Sequence, residues 1–180
     1  MVKNNIRKIK MDLSKTIRNI PDFPKKGILF RDITTLLNNS RAFYRAIDDL
    51  ARLFRNKRID YVVAAEARGF VFGGALAYKL KCGFIPVRKP KKLPYKTYRY
   101  TYSLEYGKDS LEIHRDACPK NSRVVILDDL LATGGTAQAI IKLIEKLKAK
   151  IVGVAFLIEL VDLQGRKKIK KYPVYSLIKF

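Results

Sequence analysis

Short apolar runs alternate with segments of helical periodicity between residues 60 and 160. Continuous apolar runs are typical of strands buried in a parallel sheet, whereas apolar residues at intervals of three and four indicate amphipathic helices. The alternation predicts an α/β fold whose central parallel sheet has helices on both faces. The predicted strands are Asp60–Ala65, Gly83–Lys89, Val124–Leu127, Ile151–Leu160 and Val174–Ile178.

Helical patterns also precede and separate these strands. The segment Asn5–Ile20 has apolar residues at helical spacing and lysines on its outer face. Ser40 is the predicted N-cap of a second helix, which is expected to end near Lys57. The remaining predicted elements are helices over Phe70–Leu80 and Ala137–Lys150 and a hairpin over Tyr102–His114 with its turn at Gly107–Asp109.

The length and composition are those of a globular protein. The chain has 180 residues, of which 48% are hydrophobic, so a single domain with a sizeable core is expected. No apolar stretch approaches the roughly 20 residues that a membrane span requires, and the N-terminus lacks the apolar core of a secretory signal. Cys82 and Cys118 have no metal-binding spacing, and two free thiols favour a reducing cytosol, so a cytoplasmic protein is expected.

The net charge of +22 is unusual, since 38 Lys and Arg residues stand against 16 Asp and Glu residues. The basic residues are spread over the termini, the predicted helices and the segment 88–99 rather than forming one stripe. Spread charge favours a solvated surface or nonspecific attraction to nucleic acid over sequence-specific recognition. No specific nucleic-acid partner is therefore expected.

The segment Arg123–Thr136 combines a predicted strand, two carboxylates and a glycine-rich loop before a helix. Asp128 and Asp129 follow the apolar run, and Gly134 and Gly135 precede the helix. N–H groups at a helix N-terminus favour an anion, and glycines let the backbone approach a phosphate. The loop matches neither the nucleoside triphosphatase pattern nor the dinucleotide pattern. Carboxylates beside a phosphate loop suit a sugar phosphate, although a plain turn with acidic capping residues is the structural alternative.

Cationic residues follow two other predicted strands. Arg68 comes after the first strand of the sheet, and Arg88 and Lys89 end the next one. An arginine at such a turn can hold two anion oxygens, although a surface arginine is the structural alternative. Because ligands of parallel α/β sheets bind at the carboxyl ends of the strands, we expect these cations to converge with Asp128–Thr136 and Leu160.

The string Asp-Asp-Leu-Leu-Ala-Thr-Gly-Gly-Thr at 128–136 resembles the phosphoribosyl pyrophosphate signature of the type I phosphoribosyltransferases, and of the adenine phosphoribosyltransferases in particular. Further segments resemble the same family in the expected order: 21–34, which resembles its hood, 66–73, a lid opening with Arg88-Lys89, Ser-Leu-Glu-Tyr-Gly at 103–107, and 156–160. The resemblance implies one domain over 1–180, with an N-terminal helix and hood at 1–35 and a lid loop at 88–107.

The resemblance also implies roles for the residues that match these motifs. Catalysis would involve Glu105, Asp128 and Asp129, with Glu105 handling the proton at the purine ring and the aspartates contacting ribose hydroxyls. The phosphoribosyl pyrophosphate site would consist of Ala132, Thr133, Gly134, Gly135, Thr136, Arg68, Arg88, Lys89 and Lys92. The adenine site would consist of Leu29, Phe30, Arg31 and Leu160. The family has a non-proline cis peptide that corresponds here to Glu66–Ala67.

The implied reaction is purine salvage, in which adenine and phosphoribosyl pyrophosphate give AMP and pyrophosphate. Magnesium would be held mainly by substrate oxygens, without a direct protein ligand, and a homodimer is implied. Two alternatives stay open, namely a nucleic-acid-binding regulator with this fold and a hypoxanthine, guanine or xanthine phosphoribosyltransferase. The lid departs from the family at Lys91 and Tyr95, where glycines are usual. His114 is expected to be a surface or structural residue.

Overall fold

The computed structural model describes residues 11–104 and 107–180 of the chain. The chain divides into two compact units, Met1–Ala46 and Ile47–Phe180. The predicted catalytic residue Glu105 and the first part of the predicted N-terminal helix lie outside the described residues. Within the described ranges, no helix is both long enough and apolar enough to cross a membrane. The assignment of residues 1–35 as a hood and 88–107 as a lid stays a prediction.

The described part of the first unit begins with the 3-10 helix Leu13–Thr16, the strand β1 (Arg18–Ile20) and the strand β2 (Phe30–Asp32). The two strands pair antiparallel. The Nε of Arg18 also donates to Oδ2 of Asp32 at 2.9 Å. Because these bonds hold residues 18–20 in an extended conformation, the prediction of one helix continuing to Ile20 is wrong.

Two helices follow, α1 (Thr34–Asn38) and α2 (Ser40–Arg52). Asn39 caps the second helix, since its side-chain oxygen accepts a hydrogen bond from the N–H of Ala42 at 3.1 Å. The prediction that Ser40 is the cap is therefore wrong by one residue. The helix also ends before Lys57, because the hydrogen bonds that follow span three residues and form turns.

A five-stranded parallel sheet forms the centre of the second unit. Its strands are β3 (Tyr61–Ala65), β4 (Gly83–Val87), β7 (Arg123–Leu131), β8 (Lys150–Glu159) and β9 (Val174–Lys179). Their order is β4-β3-β7-β8-β9, and every neighbouring pair is parallel. The predicted parallel α/β sheet is confirmed. The central strand β7 continues beyond the predicted Leu127, because it pairs with β8 as far as Leu131.

The helices α3 (Arg68–Leu80) and α4 (Gly135–Lys146) connect β3 to β4 and β7 to β8. The two connections leave the neighbouring strands β3 and β7 in opposite directions. Right-handed crossovers therefore place the two helices on opposite faces of the sheet. The point between β3 and β7 is a topological switch point, where ligands of such sheets bind. The fourth helix ends before the predicted Lys150, since that residue already belongs to β8.

The strands β5 (Thr97–Leu104) and β6 (Gly107–His114) form a separate antiparallel pair. The predicted hairpin is confirmed, but its predicted turn at Gly107–Asp109 is wrong. Those residues belong to β6 and pair with residues 102–104 of β5. A bridge between Arg88 and Glu112 joins the segment after β4 to β6. The basic connection between β8 and β9 contains two 3-10 helices, Val161–Leu163 and Gly165–Ile169.

Candidate active site

A cavity of about 280 Å³ lies at the carboxyl ends of β3 and β7, the switch point of the sheet. Its lining comes from the end of β3, the start of α3, the end of β7 and the start of α4. The lining residues are 65–68 and 128–137, and they include the predicted site residues Arg68, Asp128, Asp129, Ala132, Thr133, Gly134, Gly135 and Thr136. The structure thus brings together eight of the sixteen predicted site residues around one cavity.

The phosphate loop, Ala132–Gly134, joins the end of β7 to the first turn of α4. Gly134 has a φ of +81° and precedes the first helical residue, Gly135. This left-handed conformation favours glycine, because a Cβ would strain the backbone. The N-terminus of a twelve-residue helix supplies N–H donors and a dipole that stabilise an anion. The loop therefore has the geometry of a phosphate site.

Two buried carboxylates, the acidic pair Asp128 and Asp129, form one wall of the cavity. Oδ1 of Asp128 accepts a hydrogen bond from the N–H of Asp129 at 3.0 Å. Burial raises the pKa of the Asp128 carboxyl well above its ordinary value, and the neighbouring charge of Asp129 adds to the increase. Gly69 packs closely against this carboxyl, since a Cβ there would lie 2.8 Å from Oδ1 of Asp128.

Arg68 is the cation that lines the cavity, and it is oriented by the acidic pair. Its Nε lies 2.8 Å from Oδ2 of Asp129, and its side chain is 42% exposed. Burial raises the pKa of the Asp129 carboxyl, while the Arg68 guanidinium opposes that increase. The guanidinium is thus fixed at one edge and accessible to an anion in the cavity. The peptide bond Glu66–Ala67 just before it is cis, as the resemblance implies.

The other predicted pyrophosphate ligands, Arg88, Lys89 and Lys92, do not line this cavity. Arg88 donates through Nη2 to Oε2 of Glu66 at 2.7 Å. The N–H of Lys89 also donates to Glu66, and its Nζ forms an ion pair with Asp109. Lys92 is exposed, and its carbonyl accepts from Nη1 of Arg88 at 3.3 Å. Because Glu66 itself lines the cavity, Arg88 and Lys89 adjoin the site through this carboxylate.

The predicted adenine ligands lie in both units of the chain. Leu160 directly follows β8 in the second unit, and its N–H donates to the carbonyl of Leu131 at 2.9 Å. Leu29, Phe30 and Arg31 belong to the first unit, where Leu29 is 46% exposed. The Phe30 ring meets the Phe23 ring edge-on at 5.0 Å. Nη1 of Arg31 donates to the side chain of Asn19 at 2.5 Å. The assignment of these residues to adenine binding stays a prediction.

His114 is outside the cavity, and its Nε2 accepts from the N–H of Tyr95 at 3.4 Å. This contact agrees with the expected structural role.

Sequence reasoning missed several residues that shape the site. Glu66 is not among the predicted site residues, yet it holds Arg88 and Lys89. Asp109 was assigned to a turn, yet it pairs with Lys89. Gly165 and Arg166, in the connection between β8 and β9, are not among the predicted site residues, yet a Cβ at Gly165 would lie 2.2 Å from the carbonyl oxygen of Ala132. Gly165 offers a weak local signal, since a glycine between regular elements marks a turn or loop, but no local pattern shows which backbone it approaches.

Comparison with known proteins assigns the chain to a family. The model of the phosphoribosyl transferase domain matches residues 34–179, so the chain belongs to the phosphoribosyltransferases. The adenine phosphoribosyltransferase of Brachyspira hyodysenteriae is 62% identical, over 94% of this chain and 100% of its own length. At such identity over nearly its whole length, the chain belongs to the adenine phosphoribosyltransferases within that family.

Solved structures of adenine phosphoribosyltransferases share the fold. The crystal structure from Thermoanaerobacter pseudethanolicus has a TM-score of 0.91 and 55% identity, and the match covers 93% of this chain and 98% of that one. The structure from Saccharomyces cerevisiae, complexed with an imino-altritol bisphosphate and adenine, has a TM-score of 0.87 and 42% identity. That match covers 91% of this chain and 95% of the yeast chain.

Proposed function

We propose that the chain transfers the phosphoribosyl group of phosphoribosyl pyrophosphate to adenine, giving AMP and pyrophosphate in purine salvage. The observation that carries the proposal is the cavity at the switch point, where a phosphate loop, a buried acidic pair and an accessible arginine meet. The yeast relative that binds adenine, at 42% identity, supports the choice of base.

The phosphate loop would hold the 5-phosphate of the ribose. Backbone N–H groups at the start of α4 would bind this anion, and Thr133 and Thr136 line the same cavity. The acidic pair lines the cavity beside the loop, and its carboxylate oxygens would accept hydrogen bonds from the ribose hydroxyls. A sugar phosphate bound in this way would present its anomeric carbon to the part of the cavity near Arg68.

In the reaction, the bond between the anomeric carbon and a pyrophosphate oxygen breaks, and the electron pair leaves with pyrophosphate. A ring nitrogen of adenine forms the new bond to that carbon and loses its proton. Positive charge develops on the sugar, and the nearby carboxylates of Asp128 and Asp129 would stabilise it. The Arg68 guanidinium, held by Asp129 at 2.8 Å, would neutralise the departing pyrophosphate. Glu105 is proposed to take the adenine proton.

The residues present fit magnesium shared with the substrate better than a metal held by the protein alone. Across residues 11–104 and 107–180, no group of three or more His, Cys, Asp or Glu side chains could hold a metal ion. Asp129 is already paired with Arg68, so Asp128 and Asp129 would contribute by orienting ribose hydroxyls around an ion bound mainly to substrate oxygens. Such an ion supplies positive charge to the leaving pyrophosphate.

A homodimer is proposed on the exposed face of α3. Val71 and Tyr78 lie seven residues apart on one side of this helix and are 43% and 87% exposed. Gly74 lies between them, and a Cβ there would touch nothing within 4 Å, so another helix can approach closely. Light scattering should report a dimer, and Tyr78→Glu should shift it towards a monomer.

A cytoplasmic location is proposed because Cys82 and Cys118 are free thiols.

The proposed activity is tested by supplying adenine, hypoxanthine, guanine or xanthine with phosphoribosyl pyrophosphate and magnesium and measuring pyrophosphate release. Release with adenine alone is expected. Release with another purine instead would reassign the substrate. The absence of release with every purine, together with tight binding of RNA or DNA at physiological salt, would replace the enzyme by a nucleic-acid-binding regulator.

A further inference from the structure

The backbone of Gly165 lies directly against the phosphate loop. A Cβ at Gly165 would lie 2.2 Å from the carbonyl oxygen of Ala132 and 3.0 Å from the nitrogen of Gly134. The approach is mutual, since a Cβ at Gly134 would lie 2.6 Å from the carbonyl oxygen of Gly165. Real Cβ atoms do not approach other atoms this closely, so glycine is required on both sides of the contact. The loop is therefore supported from outside its own strand and helix.

Arg166 fixes the position of its neighbour Gly165. Its Nε donates to Oε1 of Glu159 at 2.6 Å, and its Nη2 donates to Oε2 at 2.8 Å. The remaining nitrogen, Nη1, donates to the carbonyl of Val174 at 2.7 Å. A planar guanidinium with partners at every nitrogen has little freedom to rotate. The residue before it is consequently held at a defined distance from β8 and β9.

The partners of Arg166 are themselves rigid. Glu159 is buried at the end of β8, and Ser176 in β9 donates to its Oε2 at 2.6 Å. The bidentate pair with Arg166 lowers the pKa of the Glu159 carboxyl, and the Ser176 hydroxyl adds to the decrease, although burial opposes it. Glu159 therefore stays charged at neutral pH and keeps its hold on the guanidinium.

We propose that Gly165 and Arg166 are positioning residues for the phosphate loop. The buried carboxylate of Glu159 orients Arg166, Arg166 places the Gly165 backbone, and that backbone sets the position of Ala132–Gly134. Neither residue lines the cavity, so neither touches the substrate. Phosphate affinity depends on N–H groups held in a fixed direction, and small displacements of such groups weaken it. The inference rests on the proposed function only in taking the loop as a phosphate site.

Two variants test this role, each at a different step. Gly165→Ala forces the loop or the 3-10 helix to move without touching the ion pair. Arg166→Lys keeps the charge beside Glu159 but loses the planar fork. Gly153→Ala is the matched control, because Gly153 is equally buried and a Cβ there would lie 2.9 Å from Cε2 of Tyr175. Gly153 belongs to β8 and lies beside Val125, in the amino-terminal part of the sheet.

The readouts are equilibrium binding of ribose 5-phosphate by calorimetry and the separate KM values for phosphoribosyl pyrophosphate and adenine. Gly165→Ala should weaken ribose 5-phosphate binding and raise the KM for phosphoribosyl pyrophosphate roughly tenfold, with the KM for adenine changed by less than about twofold. Arg166→Lys should show the same split at about threefold. Gly153→Ala should lower the melting temperature but leave ribose 5-phosphate binding unchanged.

The proposal is overturned if folded Gly165→Ala or Arg166→Lys binds ribose 5-phosphate as the wild type does. It is equally overturned if Gly153→Ala weakens binding as much, since the effect would then be a general loss of stability. If Gly165→Ala does not fold, Arg166→Lys alone decides. A wild-type protein that binds ribose 5-phosphate but releases no pyrophosphate with adenine would refute the proposed function, while the binding comparison would still decide this inference.

Discussion

The phosphate site (65–68 with 128–137) and the lid base (88–92 with β5 and β6) both pair cations with carboxylates, but in different surroundings. In the phosphate site the acidic pair is buried, and burial raises the pKa of both carboxyls. In the lid base burial has the same tendency at Asp109, but hydrogen bonds from Lys89 and from the N–H of Ser110 outweigh it and hold the pKa of Asp109 below its ordinary value.

The difference separates carboxylates that are already paired with cations from carboxylates that can still accept hydrogen bonds from a ligand. In the lid base, Lys89 is already paired with Asp109, and the Lys89 side chain is 46% exposed. Ion pairs with such an exposed partner are individually weak, so a pyrophosphate can replace this one at little cost. In the acidic pair, Asp129 is paired with Arg68 and Asp128 accepts a hydrogen bond from the N–H of Asp129. Each carboxylate has about four acceptor positions, so the pair keeps acceptor capacity for sugar hydroxyls. Substitutions in the phosphate site should therefore affect turnover strongly, and those in the lid base weakly.

The largest effect is expected from breaking the pair between Arg68 and Asp129. Arg68→Ala and Asp129→Asn should each keep the fold but lower kcat/KM roughly tenfold or more, because an electrostatic contact to the transition state is lost. Steady-state kinetics on the purified variants measure this. Arg58→Ala is the control, since Arg58 pairs with Asp60 at 3.1 Å just before β3 and is 82% exposed. Wild-type turnover of the Arg68→Ala variant would show that Arg68 does not act in the site.

A smaller effect is expected in the lid base from Lys89→Gln. The variant should raise the KM for phosphoribosyl pyrophosphate by about threefold, because an exposed cation that must first leave Asp109 contributes little net energy. Lys79→Gln is the matched control, because Lys79 has a similar exposure and also forms an ion pair, with Asp48 at 2.9 Å. This variant should leave the KM for phosphoribosyl pyrophosphate unchanged. An effect as large as that of Arg68→Ala would mean that the lid base contributes as much as the phosphate site.

The pH dependence of stability should distinguish the acidic pair from exposed carboxylates. The folded-state pKa of Asp128 is raised, so the folded protein binds the extra proton, and stability is lost as the pH rises from the ordinary value through the folded pKa. Asp128→Asn mimics the protonated form. Its melting temperature should exceed that of the wild type by about 2–4 °C at pH 8 and by less at pH 5, while turnover falls.

Asp116→Asn serves as the comparison in the same melting experiment, since Asp116 is exposed. Its difference from the wild type at each pH is the reference for the loss of one exposed carboxylate. A pH-independent difference for Asp128→Asn would show that burial does not control the pKa of Asp128.

The smallest effect is expected from Lys91→Gly in the lid base. Lys91 has a φ of +65°, and its N–H donates to Oε2 of Glu112 at 3.2 Å. A side chain in this left-handed region strains the backbone, so glycine should raise the free energy of unfolding by about 1 kcal/mol or less. Chemical denaturation measures the change. A destabilised variant would mean that the Lys91 side chain contributes more than the strain costs.

Local patterns predicted most of the sheet and half of the site. The strands of the central sheet were identified because each buried strand is a continuous apolar run, and the phosphate loop was identified because its glycines and carboxylates are consecutive in the chain. The continuation of the predicted N-terminal helix to Ile20 is wrong, because the apolar spacing around Leu13 and Ile17 cannot reveal that Arg18 will pair with Asp32 in another strand. The turn of the hairpin was misplaced because Gly107 can belong to either a turn or a strand.

The sequence alone determined what the phosphate site is made of, since a helix N-terminus, two adjacent carboxylates and a glycine pair act through neighbouring atoms. Only the tertiary structure decided how these groups are used. Burial of Asp128 and Asp129, the contact of Arg68 with Asp129, and the approach of Gly165 to the phosphate loop join residues that are far apart in the chain. Solvent exclusion and steric contact depend on distance in space, which sequence spacing does not encode.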